Sequence, residues 1–261
     1  MTWSTFVGAV LTVLLAAPAS AQLRPPSGGK AVGDYSLHDF AAKWMMQLDD
    51  VAEISHFEAA NRALLAQNDP RPRTIFIGDS ITENWTQLDA HQTANGRWIN
   101  RGISGSNTSQ MLLRFEVDAV ALGPRAIVIM GGTNDLRAYE GTPASVVDGA
   151  FARVTRNLTA MADIAAGRAI KVVLCAIPLV GRDLDRIARD PAGVKRINAW
   201  IADFARQRAL VFVDFGEVLT DGDGYMKAEL STDGIHPNPA GYRQMMPLIE
   251  AAVARTEAAR R

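Results

Sequence analysis

Ser80 follows the apolar run Thr74 to Ile77 within Gly78-Asp79-Ser80-Ile81, and Asp233-Gly234-Ile235-His236 lies near the C-terminus. A serine alcohol becomes a nucleophile only beside a base, and the base works only when a third group orients it. His236 is the candidate base, because imidazole exchanges protons near neutral pH. Asp233, three residues earlier, is the candidate for holding the ring in the required tautomer and stabilising the imidazolium. Two further segments fall between these ends: Asn100-Arg101-Gly102-Ile103-Ser104-Gly105 and Gly131-Gly132-Thr133-Asn134-Asp135. A Gly and an Asn there are candidate donors for the oxyanion that forms when an ester carbonyl is attacked.

In this order the four segments resemble the blocks of the SGNH/GDSL hydrolases, a family named for the Ser, Gly, Asn and His that those blocks carry. The resemblance spans roughly residues 74 to 250. Ile77 to Thr82 followed by Trp85 is most similar to the branch of platelet-activating-factor acetylhydrolase-like proteins and bacterial carbohydrate esterases. It implies a Ser80–His236–Asp233 triad working through an acyl-enzyme, without a cofactor. It also implies an oxyanion hole made of the backbone N–H groups of Ser80 and Gly105 and the side-chain amide of Asn134; Gly105 is the donor because it is the later Gly of its block. One departure stands out. The family's second block often continues Gly-Asp-Thr, whereas here Ser106 and Asn107 precede Thr108, so a carboxylate is missing beside the nucleophile.

Each residue also has a plainer role open to it. Ser80 could cap the helix that begins near Thr82, Gly102 could serve turn geometry alone, and Asn134 could satisfy its own loop. Asp135 reads as structural. Trp85, Arg137 and Tyr139 lie close in sequence to the site and suit either packing or a substrate pocket. His38, His56 and His91 stand outside the four segments. Asp221-Gly222-Asp223-Gly224 begins like a calcium loop, but Thr232 occupies the position where an acidic residue is needed, leaving a Gly-rich turn.

These segments need a frame that brings them together. Five short apolar runs, Thr74 to Ile77, Trp98 to Ile103, Ala126 to Met130, Val172 to Ile177 and Leu210 to Val213, alternate with helix-length stretches. The stretches are Ser109 to Leu122, Ala144 to Ala166, Pro191 to Gln207 and Ala240 to Arg255. Continuous apolar strands alternating with helices predict an α/β fold, a three-layer α/β/α sandwich around a parallel sheet of about five strands, flavodoxin-like in class. In such sheets ligands bind beyond the carboxyl ends of the strands, and the first three motifs each follow a predicted strand. Before them, the spacing of Phe40, Trp44, Leu48, Val51, Ile54 and Leu64 or Leu65 predicts one packing helix over much of His38 to Gln67.

The 261 residues are enough for one large domain, and 48% apolar residues suffice for its core. A net charge of −1 provides no field to attract nucleic acid or an anionic membrane surface. The expected partner is therefore a small or neutral molecule, and the family resemblance implies that it is a small-molecule or glycan ester. The single cysteine, Cys175, lies in an apolar run, which excludes an intramolecular disulfide and predicts an inert buried thiol. Phe6 to Ala17 is apolar but too short to span a membrane, and Ala19-Ser20-Ala21 has the small residues of a cleavage site. Residues 1–21 thus read as a signal peptide, although Met1 to Thr5 carries no Lys or Arg. Residues 22–33 read as a flexible lead and 34–261 as one catalytic domain, secreted or periplasmic.

Overall fold

The computed structural model describes residues 50–88, 97–137, 142–182, 189 and 191–258. The expected signal peptide, the flexible lead and the first part of the expected leading helix lie outside the described residues, as do His38, His91 and Tyr139.

Five parallel strands form one sheet in the order β2-β1-β3-β4-β5. They are β1 (Thr74–Gly78), β2 (Trp98–Gly102), β3 (Ala126–Met130), β4 (Lys171–Cys175) and β5 (Val211–Val213). In register, Gly78 stands beside Gly102 on one side and Met130 on the other, so the three loops bearing the first three motifs leave the sheet at one edge. Among the described residues the α-helices are α1 (Glu58–Ala66), α2 (Ser80–Glu83), α3 (Thr108–Asp118), α4 (Ala144–Gly167), α5 (Pro191–Gln207), α6 (Gly216–Leu219) and α7 (Pro239–Ala258).

The pleat divides the apolar residues into two cores. Ile75, Ile77, Ile99, Ile127, Ile129, Val172 and Leu174 point to one face, where α1, α3, α4 and α5 pack with Leu64, Phe115, Leu158 and Ile197. Phe76, Val128, Met130, Val173, Cys175 and Val213 point to the other, against α2, α6 and α7. Strands β1 and β3, buried along their whole length, have no polar alternation to display, which is why they appear in the sequence as apolar runs. The expected three-layer sandwich and the strand order of the flavodoxin-like class are both present. Among the described residues no helix is long and apolar enough to cross a membrane.

Two expected elements change shape. Within the described part of the expected leading helix, the helical segment begins at Glu58 and residues 50–57 form turns. There the Asp50 carboxylate accepts the N–H groups of Ile54 at 2.7 Å and Ser55 at 2.8 Å, and such local bonding competes with the helical ladder. Val51 and Ile54, expected on a packed face, are accordingly exposed. The helix expected over Ser109 to Leu122 stops at Asp118 and finishes as a 3₁₀ turn at Val120–Leu122, closed by left-handed Gly123.

Candidate active site

Strand β1 delivers Asp79 and Ser80 to the carboxyl edge of the sheet. Asp79, not Ser80, caps the short helix α2: its carboxylate accepts the N–H of Ile81 at 3.0 Å, while Ser80 is the first helical residue. The hydroxyl of Ser80 is therefore free of capping, and its Oγ lies 2.8 Å from Nε2 of His236. Nδ1 of His236 lies 2.6 Å from Oδ2 of Asp233. Ring orientation is set locally, since Oδ1 of Asp233 accepts the N–H groups of Ile235 at 2.9 Å and His236 at 2.8 Å. Ser231 closes the same turn, its hydroxyl donating to the His236 carbonyl at 2.7 Å and accepting the N–H of Gly234 at 3.0 Å.

The two carboxyls beside the serine are driven in opposite directions. Burial pushes Asp79 up to about 6, against the pull of its Ile81 hydrogen bond and the positive charges of His236 and Arg189. For Asp233 burial also acts upward, but it is outweighed by the His236 ring and the two backbone donors, which hold the carboxyl well below the usual range. Asp233 thus stays ionised and able to stabilise an imidazolium.

Of the three oxyanion donors implied by the motifs, Gly105 has φ of 83°, the left-handed region that favours glycine, and a Cβ there would meet nothing within 4 Å. Backbone conformation, not space, selects glycine at 105. Gly102 differs: its added Cβ would lie 2.2 Å from the Glu83 nitrogen, so close approach of β2 to α2, not a turn, requires it. The loop between them is tied to α2 by Glu83, whose carboxylate accepts both the N–H of Ser104, at 2.8 Å, and its hydroxyl. Asn134 donates its amide to the Ser106 carbonyl at 3.0 Å, which joins the loops carrying the second and third motifs. Its Oδ1 accepts from Arg137 and Arg189, both at 3.1 Å.

Neighbouring residues sort themselves clearly. Asp135 is structural, accepting the N–H of Thr108 at 2.8 Å, its hydroxyl at 2.9 Å and Arg153 Nε at 3.0 Å. Where the family's carboxylate is missing, Asn107 caps α3 in a reciprocal box with Gln110. Trp85 is core, not pocket: it is 1% exposed, stacked on Tyr242 at 5.6 Å and edge-on to Phe215 at 6.1 Å. Tyr242 donates its hydroxyl to the Ile81 carbonyl at 2.8 Å, which docks α7 onto α2. His56 sits at the surface, 3.9 Å from Glu53. Burial pushes the Cys175 thiol far up, so the sulfur is inert. Asp221 organises the Gly-rich turn by accepting the N–H groups of Asp223 and Tyr225, each at 3.0 Å, and pairs with Arg182 at the same distance. Among the described residues no group of three or more His, Cys, Asp or Glu is placed to hold a metal ion.

Sequence reading missed Glu83, Arg189 and Tyr242. Glu83 follows the first motif and Tyr242 the fourth, but neither type at those positions signals its partner, and Arg189 lies in a loop without any motif.

Comparison with curated proteins returns no significant match. Among solved structures, a GDSL-like lipase of Bacteroides thetaiotaomicron is 31% identical over 78% of this chain and 98% of its own, with a TM-score of 0.66. A protein of Streptococcus pneumonia described as a putative platelet activating factor shares the fold at 24% identity, over 81% and 98% of the two chains, with a TM-score of 0.63. An acetylxylan esterase of Geobacillus stearothermophilus shares it at 20% identity, over 70% and 94%, with a TM-score of 0.55. The model of the GDSL-like lipase/acylhydrolase family matches residues 76–244, well over half of the 261 residues and all four motif segments. By that match the chain belongs to the GDSL-like lipase/acylhydrolase family and is an ester hydrolase.

Proposed function

We propose that the protein is an exported serine esterase that removes short acyl groups, acetyl above all, from a carbohydrate or other small alcohol. The observation that carries this reading is the continuous hydrogen-bonded chain from Ser80 Oγ through His236 to Asp233. In the reaction, Nε2 of His236 takes the Ser80 proton as Oγ attacks the ester carbonyl, and returns it to the leaving alcohol as the acyl-enzyme forms. Water, deprotonated by the same nitrogen, then releases the acid and restores Ser80. Negative charge on the carbonyl oxygen is received by the N–H groups of Ser80 and Gly105 and by the amide of Asn134, a donor of this kind contributing about 3 kcal/mol in the transition state.

Support for the acetyl preference comes from the resemblance to the carbohydrate-esterase branch and from the export-type segment of residues 1–21, since an exported enzyme meets glycans. The test is hydrolysis of p-nitrophenyl esters from acetate to palmitate by the purified protein, with Ser80→Ala as the blank. Fast turnover of acetate or butyrate that disappears in Ser80→Ala is the expected result. A preference for long chains would move the assignment to a lysophospholipase or thioesterase. Turnover that persists in Ser80→Ala would remove the nucleophile from the scheme, and an inactive wild type would favour a glycan-binding module.

A further inference from the structure

Asn134 is held at both ends of its carboxamide. One N–H is spent on the Ser106 carbonyl at 3.0 Å, and Oδ1 accepts two guanidinium donors, Arg137 Nη2 and Arg189 Nη2, each at 3.1 Å. A carboxamide has two N–H donors and one carbonyl oxygen, so among the described residues one donor is left over. Rotating the amide by half a turn would set its NH₂ against two cations and its oxygen against the oxygen of Ser106. Both contacts would be repulsive, and the amide therefore has one orientation.

The two arginines arrive by separate routes. Arg137 follows Asn134 by three residues in the loop after β3, and Arg189 comes from the loop between β4 and α5. Their backbones form an isolated antiparallel bridge, so the second loop is fastened against the first at the point where both guanidinium groups reach Oδ1. Arg137 is exposed, whereas Arg189 is 5% exposed, and a guanidinium so buried polarises its acceptor more strongly than one in water.

Resting on the esterase reading above, we propose that Arg137 and Arg189 are positioning residues that clamp the Asn134 carboxamide, so that its remaining N–H faces the developing oxyanion and is made a stronger donor by the positive charge on its oxygen. Neither arginine touches the ester. Each acts through Asn134, and preorganised donors of this kind cost no reorganisation during the reaction. The clamp also sets a ceiling: removing it cannot cost more than removing the donor it serves, about a hundredfold in turnover or somewhat above.

The experiment is a mutant cycle on p-nitrophenyl acetate, using Arg137→Met and Arg189→Met in the wild-type and in the Asn134→Ala background. In the wild-type background each substitution is expected to lower kcat by about tenfold with KM changed by less than about twofold, because the interaction exists only in the transition state. On Asn134→Ala neither should lower kcat further. Losses that add to that of Asn134→Ala, or single variants with wild-type kcat, would overturn the clamp. Should Arg189→Met fail to fold, the exposed Arg137 carries the same cycle. A second readout is independent of turnover: the Asn134 side-chain amide signals in an ¹⁵N–¹H spectrum, identified by their absence in Asn134→Ala, should shift in Arg137→Met, and unmoved signals would contradict the contact. A wild type inactive on every ester would sink the esterase reading itself, whereas an active wild type with additive losses would sink the clamp alone.

Discussion

Asp79 is a buried carboxyl immediately before the candidate nucleophile. It is 1% exposed and its carboxyl is pushed by burial up to about 6, so at neutral pH the folded protein carries a charge its surroundings disfavour. The folded pKa lies above the unfolded one. Between about pH 4 and pH 6 the native state therefore holds a proton that the unfolded state has released, and this residue's contribution to stability declines as pH rises through that window. Asparagine in its place keeps the oxygen that accepts from Ile81 but carries no charge. Asp79→Asn is expected to match the wild type near pH 4 and to exceed it at pH 7.5 by up to about 3 kcal/mol, the worth of a shift of roughly two units. Urea unfolding at the two pH values measures this, and a variant no more stable than wild type at pH 7.5 contradicts it.

At the scale of elements, one side chain of α3 joins the two strands that lead into the site. Arg114, wholly buried, donates to the carbonyls of Gly78 and Arg101, each at 2.8 Å, and pairs with Asp118 at 3.2 Å. Asp118 also accepts Asn61 Nδ2 at 2.8 Å, and Asn61 Oδ1 accepts Arg101 Nε at 2.9 Å, which brings α1 into the same network. Arg101 in turn lies 4.7 Å above the Phe57 ring. Burial lowers both guanidinium pKa values, that of Arg101 to about 10. Removing one partner of such a pair strands the other. Arg114→Met is expected to lose about 3–5 kcal/mol in urea unfolding at pH 7, and a loss below about 1 kcal/mol would show that the network contributes little. Nothing in the sequence marks this arginine. In an amphipathic stretch a charged residue looks like part of the solvated face, and only the crossing of α3 over the ends of β1 and β2 turns it inward.

For the whole molecule, stability is carried by two cores on either side of a sheet that has no solvent face. Phe115 and Leu113 show the contrast on a single helix: Phe115 is fully buried among the strands, while Leu113 is 61% exposed. Phe115→Ala is expected to cost about 3–5 kcal/mol and Leu113→Ala less than about 0.5 kcal/mol, both from denaturant midpoints. Equal costs would mean that α3 packs through a different face.

The amino-acid order alone determined the alternation of strands and helices, the four motifs and the family, because apolar runs, turn residues and short motifs are local properties of the chain. It placed Ser80, Asp233, His236, Gly105 and Asn134 as candidates, and the folded chain joins the first three by direct hydrogen bonds. What depended on distance through space was not legible. Trp85 stands beside the first motif yet belongs to the core; the cap before α2 belongs to Asp79; residues 50–57, expected to be helical, are turns where the Asp50 carboxylate captures backbone N–H groups. Arg189, one partner of Asn134, comes from 55 residues away, and the two carbonyls that Arg114 reaches come from strand ends. Such contacts follow from which loops the parallel sheet sets side by side, and that is decided by tertiary packing, not by any pattern along the chain.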